Sequence, residues 1–169
     1  VMVIKAGKHL EPLILGGGQE RDRRSGTHNV AGIIATAKAL VVTDATRQEE
    51  IVRVTQLRDR LVDEITQALD GVLETVPREQ RVPGVAHVCF SGLENEALLF
   101  LLDQADVYAS AASACASGAM EPSHVLEAMG IERSWSNGAL RLSLGHTTTE
   151  HDIDTAVAAI VSAVNQLRR

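Results

Sequence analysis

Aromatic side chains are nearly absent from this chain: its 169 residues include one Trp, one Tyr and two Phe, or 2% of the sequence. Hydrophobic residues nevertheless make up 45% of it, so a core has to be built from Val, Leu, Ile and Ala. A protein that stacks nucleic-acid bases needs more aromatic residues. The net charge of -6 also lacks the Lys and Arg excess of a phosphate-binding surface. We therefore expect no nucleic-acid partner.

Cysteines and long apolar runs are also scarce. The two cysteines, Cys89 and Cys115, are too few for a disulfide framework and lack the Cys-x-x-Cys spacing of a zinc site. The sequence contains no run of 18 apolar residues, so we expect no membrane span. The apolar opening is too short for a signal peptide. These features indicate a soluble, metal-free globular protein in a reducing cytoplasm.

Apolar spacing predicts the main elements. The opening run Val1–Ile4 has the character of a strand interior, so we expect a strand there and a chain that is a fragment of a longer protein. Between Thr46 and Leu69, apolar residues recur at steps of three and four, which predicts a helix. The period changes to two after Pro83, and this predicts strands at Val85–Phe90 and Leu140–Leu144.

The second half of the sequence predicts a compact α+β unit with the order β-α-β-loop-α-β-α. The remaining expected elements are a helix at Glu94–Asp103, a short strand at Val107–Ala109, a helix at Pro122–Met129 and a final helix. A capping box of the form Thr147-x-x-Glu150 is expected to begin that final helix. Residues 77–84, where the pattern changes, are the best candidate for a boundary.

Cys115 is the first candidate for chemistry. Small residues surround it from Ala111 to Gly118, which would leave its sulfur accessible, as a nucleophilic cysteine requires. From the residues alone, a buried structural cysteine is an equal alternative, because free cysteines are often buried. Cys89, within an apolar strand, is expected in the core.

Two further candidates are Arg141 and Thr27. Arg141 interrupts an apolar strand and could bind a substrate carboxylate bidentately, although strand alternation alone would favour a solvent-facing residue. Thr27 follows a glycine-rich, basic stretch, Gly16–Gly26, and precedes a helix, so it could contact a phosphate. An exposed charged loop is the alternative there.

Three stretches, taken in order, resemble the cysteine desulfurases of the NifS/IscS type, within the class-V aminotransferase group. The first is Gly16–Arg21 followed by Arg24–Val30. The second is Ser113-Ala114-Cys115-x-Ser117-Gly118 followed by Glu121–Leu126, and the third is Leu140–Gly145 followed by Thr148–Glu150. The resemblance covers nearly the whole chain, and its second motif is the most specific.

The resemblance implies the C-terminal portion of a type I pyridoxal-phosphate transferase fold, α/β to α+β in class, in a homodimer. Residues 1–45 would be the end of the large cofactor domain and residues 46–80 a connecting helix region. Residues 81–169 would be the small C-terminal domain, which carries the cysteine loop.

The resemblance also implies residue roles. Cys115 would take the sulfur of L-cysteine as a persulfide and leave L-alanine, Arg141 would bind the substrate carboxylate, and Thr27 would contact the phosphate of the partner subunit's cofactor. The sulfur acceptor would be an iron–sulfur scaffold protein or a tRNA-thiolation system. The family's cofactor-binding lysine stands in a Ser-x-His-Lys motif, and neither Lys5 nor Lys8 has that context. This chain alone is therefore expected to be inactive.

Other functions remain open at this point. The same fold could serve a selenocysteine lyase or an amino-exchanging class-V aminotransferase. A non-catalytic, isolated domain is the third alternative.

Overall fold

The computed structural model describes residues 2–111 and 123–169. The chain divides into two compact units, Val1–Gln48 and Glu49–Arg169. The longest helix, α2, spans Val30–Ala68 and therefore runs through both. None of the described helices has the length and apolar character needed to cross a bilayer.

The first unit contains a short turn and the beginning of α2. At Lys5–Lys8 the Lys8 N–H donates to the Lys5 carbonyl at 3.1 Å and closes a turn. The following α1, Gln19–Asp22, is a left-handed turn, because Glu20, Arg21 and Asp22 all have positive φ. The expected strand at Val1–Ile4 is wrong for its described residues, Met2–Ile4. A strand needs a neighbouring strand to satisfy its backbone groups. Among the described residues, no strand pairs with Met2–Ile4.

Helix α2 is one continuous helix of 39 residues and includes nearly all of the helix predicted between Thr46 and Leu69, but it begins earlier, at Val30, in an Ala-rich stretch. No Gly or Pro lies between this Ala-rich stretch and Thr46, so nothing in the backbone breaks the helix. The side chain of Asn29 accepts from the Gly32 N–H at 3.0 Å near its beginning. Most of the predicted apolar face is buried in the second unit: Val54, Leu57, Leu61, Ile65 and Leu69.

A three-stranded antiparallel sheet forms the centre of the second unit, in the order β1-β2-β3. The strands are β1 (Val72–Glu74), β2 (Val85–Phe90) and β3 (Ala139–Ser143). Strands β2 and β3 confirm the sequence prediction, whereas β1 was missed. A 3-10 helix, Arg78–Gln80, lies between β1 and β2.

The two faces of the sheet contact different apolar clusters. One face carries the alternating residues of β2 and β3 into the main core, which also contains side chains of α2, of α3 (Asn95–Asp103) and of α6 (Glu150–Leu167). The opposite face carries Cys89 and Ala139 against a smaller cluster with Leu126, Ile131 and Trp135. Those three side chains come from α4 (His124–Ala128), α5 (Arg133–Ser136) and the turn between them.

Two local predictions are wrong. Helix α6 does begin with a capping box, but it joins Thr149 and Asp152 instead of Thr147 and Glu150. The shift places Asp152 at the third helical position, where a carboxylate can reach back to the capping residue's N–H. Residues 107–109 form no strand, because only Ser110 pairs with β3, through an isolated bridge to Arg141.

Candidate functional site

Arg141 lies on β3, on the face of the sheet opposite the main core. Its neighbours Leu140 and Leu142 are buried on the other face, whereas Arg141 itself is exposed. The Arg141 N–H donates to the Ser110 carbonyl at 2.7 Å, and the Ser110 N–H donates back to the Arg141 carbonyl at 3.1 Å. These two backbone hydrogen bonds therefore hold Arg141, the predicted substrate-binding residue, at the outer edge of the sheet.

A row of polar side chains crosses the sheet through Arg141. His87 of β2 is its register partner, and Thr75 follows β1 beside His87. The Thr75 N–H donates to the His87 carbonyl at 3.2 Å, and the Thr75 hydroxyl lies 2.9 Å from His87 Nδ1. We call Thr75, His87, Arg141 and Ser110 the polar row.

Burial determines the protonation of His87. The ring is half-buried, and desolvation lowers its pKa below the ordinary value; the nearby positive charge of Arg141 lowers that pKa further. His87 is therefore neutral at pH 7, with one ring nitrogen carrying a proton.

Arg141 differs from five other arginines of the second unit. Arg53, Arg58, Arg60, Arg78 and Arg81 each form an ion pair with a carboxylate. Among residues 2–111 and 123–169, no such pair involves Arg141, whose guanidinium donates a 3.4 Å hydrogen bond to Ser110 Oγ. Its guanidinium thus keeps donors that an external carboxylate could use.

Thr27 belongs to the first unit, where it is exposed just before α2. The Arg24 guanidinium donates to the carbonyls of Gly26 (3.1 Å) and Thr27 (2.7 Å). The Gln19 side chain accepts from the Gly26 N–H at 2.9 Å. These bonds hold the backbone before Thr27, and the described residues provide no hydrogen bond to its hydroxyl. Its predicted phosphate contact stays a prediction.

Cys115 lies outside the described residues, and its role stays a prediction. The described chain on either side is anchored: Ser110 by its bridge to Arg141, and Ser123, which is buried, by accepting a 3.0 Å bond from the Glu127 N–H in α4. The other cysteine, Cys89, is fully buried, as expected, and burial raises the pKa of its thiol to about 11. Cys89 is therefore unsuited to act as a thiolate.

The sequence reasoning missed three residues of the polar row, namely Thr75, His87 and Ser110. Pairing the two predicted strands so that both apolar faces meet one core would have placed His87 on the same face as Arg141. The register that makes them direct neighbours is not visible in either strand alone. Within the described part of the chain, no cluster of three or more His, Cys, Asp or Glu side chains could hold a metal ion.

Comparison with known proteins identifies the family of this chain. The family model described as Aminotransferase class-V matches residues 4–156. An IscS-like cysteine desulfurase of Mycobacterium tuberculosis is 45% identical over 94% of this chain and 40% of its own length. The cysteine desulfurase NifS of Azotobacter vinelandii is 38% identical over 99% of this chain and 42% of its own length.

A solved structure titled as a NifS-like protein superposes with a TM-score of 0.83 at 33% identity, and it covers 97% of this chain and 41% of that protein. The chain thus spans about two fifths of the length of these relatives. Its mixed helices and strands fit part of the type I pyridoxal-phosphate transferase fold that the sequence predicted. The chain belongs to the class-V aminotransferase family.

Proposed function

We propose that the full-length protein containing this chain is a cysteine desulfurase that uses pyridoxal 5'-phosphate. It removes sulfur from L-cysteine, releases L-alanine and holds the sulfur as a persulfide on Cys115. A sulfur acceptor, such as an iron–sulfur scaffold protein, takes it from there. We further propose a cytoplasmic homodimer with the domain limits 1–45, 46–80 and 81–169.

The observation that carries this proposal is the similarity to relatives named cysteine desulfurases, at 38–45% identity over nearly the whole chain. The polar row adds independent support. It presents an arginine whose guanidinium is not used by any carboxylate of the described residues, as a site for the carboxylate of an amino acid requires.

The residues of this chain fit one part of the cofactor. Thr27 offers an exposed hydroxyl beside the beginning of α2, where a phosphate could accept a hydrogen bond. The chain's three lysines, Lys5, Lys8 and Lys38, lack the Ser-x-His-Lys context of the covalent attachment, so that group would come from the remainder of the full-length protein. When bound, pyridoxal phosphate supplies the electron-withdrawing ring that makes the carbon–sulfur bond of cysteine labile.

The residues of this chain would then perform two tasks. Arg141 binds the carboxylate of L-cysteine and so fixes the position of the substrate's sulfur. The Cys115 thiolate attacks that sulfur and forms the sulfur–sulfur bond of a persulfide. The carbon–sulfur bond breaks, and the substrate carbon keeps the electron pair and takes up a proton to become the methyl group of alanine.

The length of chain between Ser110 and Cys115 is compatible with these two roles. Ser110 is bonded to Arg141, and Cys115 follows it by five residues. Five residues span at most about 18 Å. The backbone bridge therefore limits the distance between the proposed nucleophile and the proposed carboxylate site.

Activity of the full-length protein tests the proposal. With L-cysteine, the wild type should release alanine and gain one sulfur atom on Cys115 by mass spectrometry. Cys115→Ser should abolish both, whereas the matched control Cys89→Ser should keep both. Full activity of Cys115→Ser would refute the assignment. Turnover of selenocysteine without turnover of cysteine would indicate a selenocysteine lyase instead.

The isolated 169-residue chain provides a second test. Mixed with pyridoxal phosphate, it should develop no absorbance band of a lysine-bound cofactor and no desulfurase activity. A stable band that survives dialysis would contradict the statement that the attachment lysine is not in this chain.

A further inference from the structure

We propose that His87 is a second binding group for the substrate carboxylate, which it would contact together with Arg141 through an Nε2–H that Thr75 keeps protonated. This inference rests on the proposed function, because it assigns a new residue to the same carboxylate site. It makes the site a two-donor site built across β2 and β3.

The backbone hydrogen bonds place the two side chains close together. Arg141 uses its N–H and carbonyl on Ser110, and His87 uses its carbonyl on Thr75. Their mutual pair in the register of β2 and β3 is therefore of the non-hydrogen-bonded kind. In such pairs the Cα atoms are about 4.5 Å apart and the side chains are at their closest.

Thr75 favours one tautomer of the His87 ring. Its hydroxyl has a single hydrogen and two possible acceptors: His87 Nδ1 at 2.9 Å and the His87 carbonyl at 3.3 Å. The carbonyl already accepts from the Thr75 N–H. We assign the hydroxyl hydrogen to the shorter contact, which makes Nδ1 the acceptor and puts the proton of the neutral ring on Nε2. Nitrogen-15 NMR distinguishes this arrangement from the reverse one, in which Nδ1–H donates to the hydroxyl and the hydroxyl donates to the carbonyl.

With respect to residues 2–111 and 123–169, the row is accessible to a ligand. On this face of the sheet, the small cluster with Leu126 and Trp135 covers Cys89 and Ala139, whereas Arg141 is exposed and His87 half-buried. No hydrogen bond among the described residues uses His87 Nε2. Side by side and without a carboxylate partner among the described residues, these two donors suit the two oxygens of an amino-acid carboxylate.

The tautomer can be measured on the 169-residue chain itself. Nitrogen-15 NMR of the imidazoles at pH 7.5, with the His87 signal assigned by its loss in His87→Gln, should report the Nε2–H form. Thr75→Val should shift the ring toward a mixture of tautomers, and Thr75→Ser should restore the wild-type spectrum. An Nδ1–H form in the wild type would overturn the proposal.

Kinetics of the full-length protein tests the binding role. His87→Ala should raise KM for L-cysteine about tenfold to 100-fold, the size expected for one hydrogen bond to a carboxylate, with a smaller change in kcat. His87→Gln, whose amide nitrogen replaces Nε2, should stay closer to the wild type than His87→Asn. The role of His87 would be overturned if all three variants had the KM of the wild type while Arg141→Ala raised KM. An unchanged KM in Arg141→Ala would instead refute the carboxylate site of the proposed function.

Discussion

Gly138 permits the close approach of β2 and β3, so adding one methyl group there should destabilise the second unit. A Cβ at this position would lie 2.1 Å from the Phe90 carbonyl oxygen, whereas real Cβ contacts essentially begin at 3.0 Å. The obstacle is backbone of the central strand, which cannot rotate away as a side chain would. The Phe90 N–H also donates to the Gly138 carbonyl at 3.0 Å, and that bond has to lengthen if the strands separate.

The expected cost follows from these contacts. Overpacking costs about 1–3 kcal/mol, and one weakened backbone hydrogen bond about 1 kcal/mol. Gly138→Ala should therefore lower the free energy of unfolding by about 2–4 kcal/mol, a large part of the roughly 5–15 kcal/mol of a typical domain. With a urea slope of about 2 kcal/mol per molar, the midpoint should fall by about 1–2 M.

Fluorescence of Trp135, the only tryptophan of the chain, can follow the urea transition because its side chain packs near the start of β3. Gly145→Ala is the matched control: a Cβ there meets nothing within 4 Å, so its midpoint should stay near that of the wild type. If Gly138→Ala unfolded at the same urea concentration as Gly145→Ala, the steric reasoning would be wrong.

Three further predictions follow from described contacts. Thr149→Ala should destabilise the chain by about 1 kcal/mol, because its hydroxyl caps α6, whereas Thr147→Ala should change thermal stability little; equal losses would contradict the observed cap. Cys89 is buried, and the pKa of its thiol is raised to about 11. In the Cys115→Ser variant it should therefore not react with a thiol reagent in the native protein and should react once urea is added. Rapid labelling of the native variant would contradict the burial of Cys89. Because the pKa of His87 is lowered on folding, the unfolded chain binds more protons between that lowered value and 6.5, so stability should rise with pH across this window. The urea midpoint of His87→Gln should lose that part of the pH dependence, and an unchanged profile would refute it.

The main strands and helices could be predicted because their patterns are local. Strand β2 alternates between the core and the opposite face, and that alternation is present in Val85–Phe90 itself. Strand β1 could not be predicted in this way, because Val72–Glu74 is three residues long and shows no complete period. Its formation depends on pairing with Val88–Phe90, a contact that the local sequence does not contain.

The candidate site was predictable in its residue types but not in its assembly. Arg141 stood out as a charge within an apolar strand, and its exposed position agrees with that pattern. His87 did not stand out, because its importance comes from the register that places it beside Arg141. The expected strand at residues 107–109 failed for a related reason, since a single bridge at Ser110 provides too little pairing to make a strand.

The edges of the sheet determine how the second unit can meet other chains. A free edge strand offers unpaired backbone groups that recruit further strands and lead to aggregation. Here one edge strand, β1, is only three residues long, and its Glu74 is held by Arg78 and Arg81. The other edge, β3, is already occupied at its midpoint by Ser110. The bridge that fixes Arg141 therefore also protects the sheet against strand addition, so resistance to aggregation and the position of the proposed carboxylate site depend on the same two backbone hydrogen bonds.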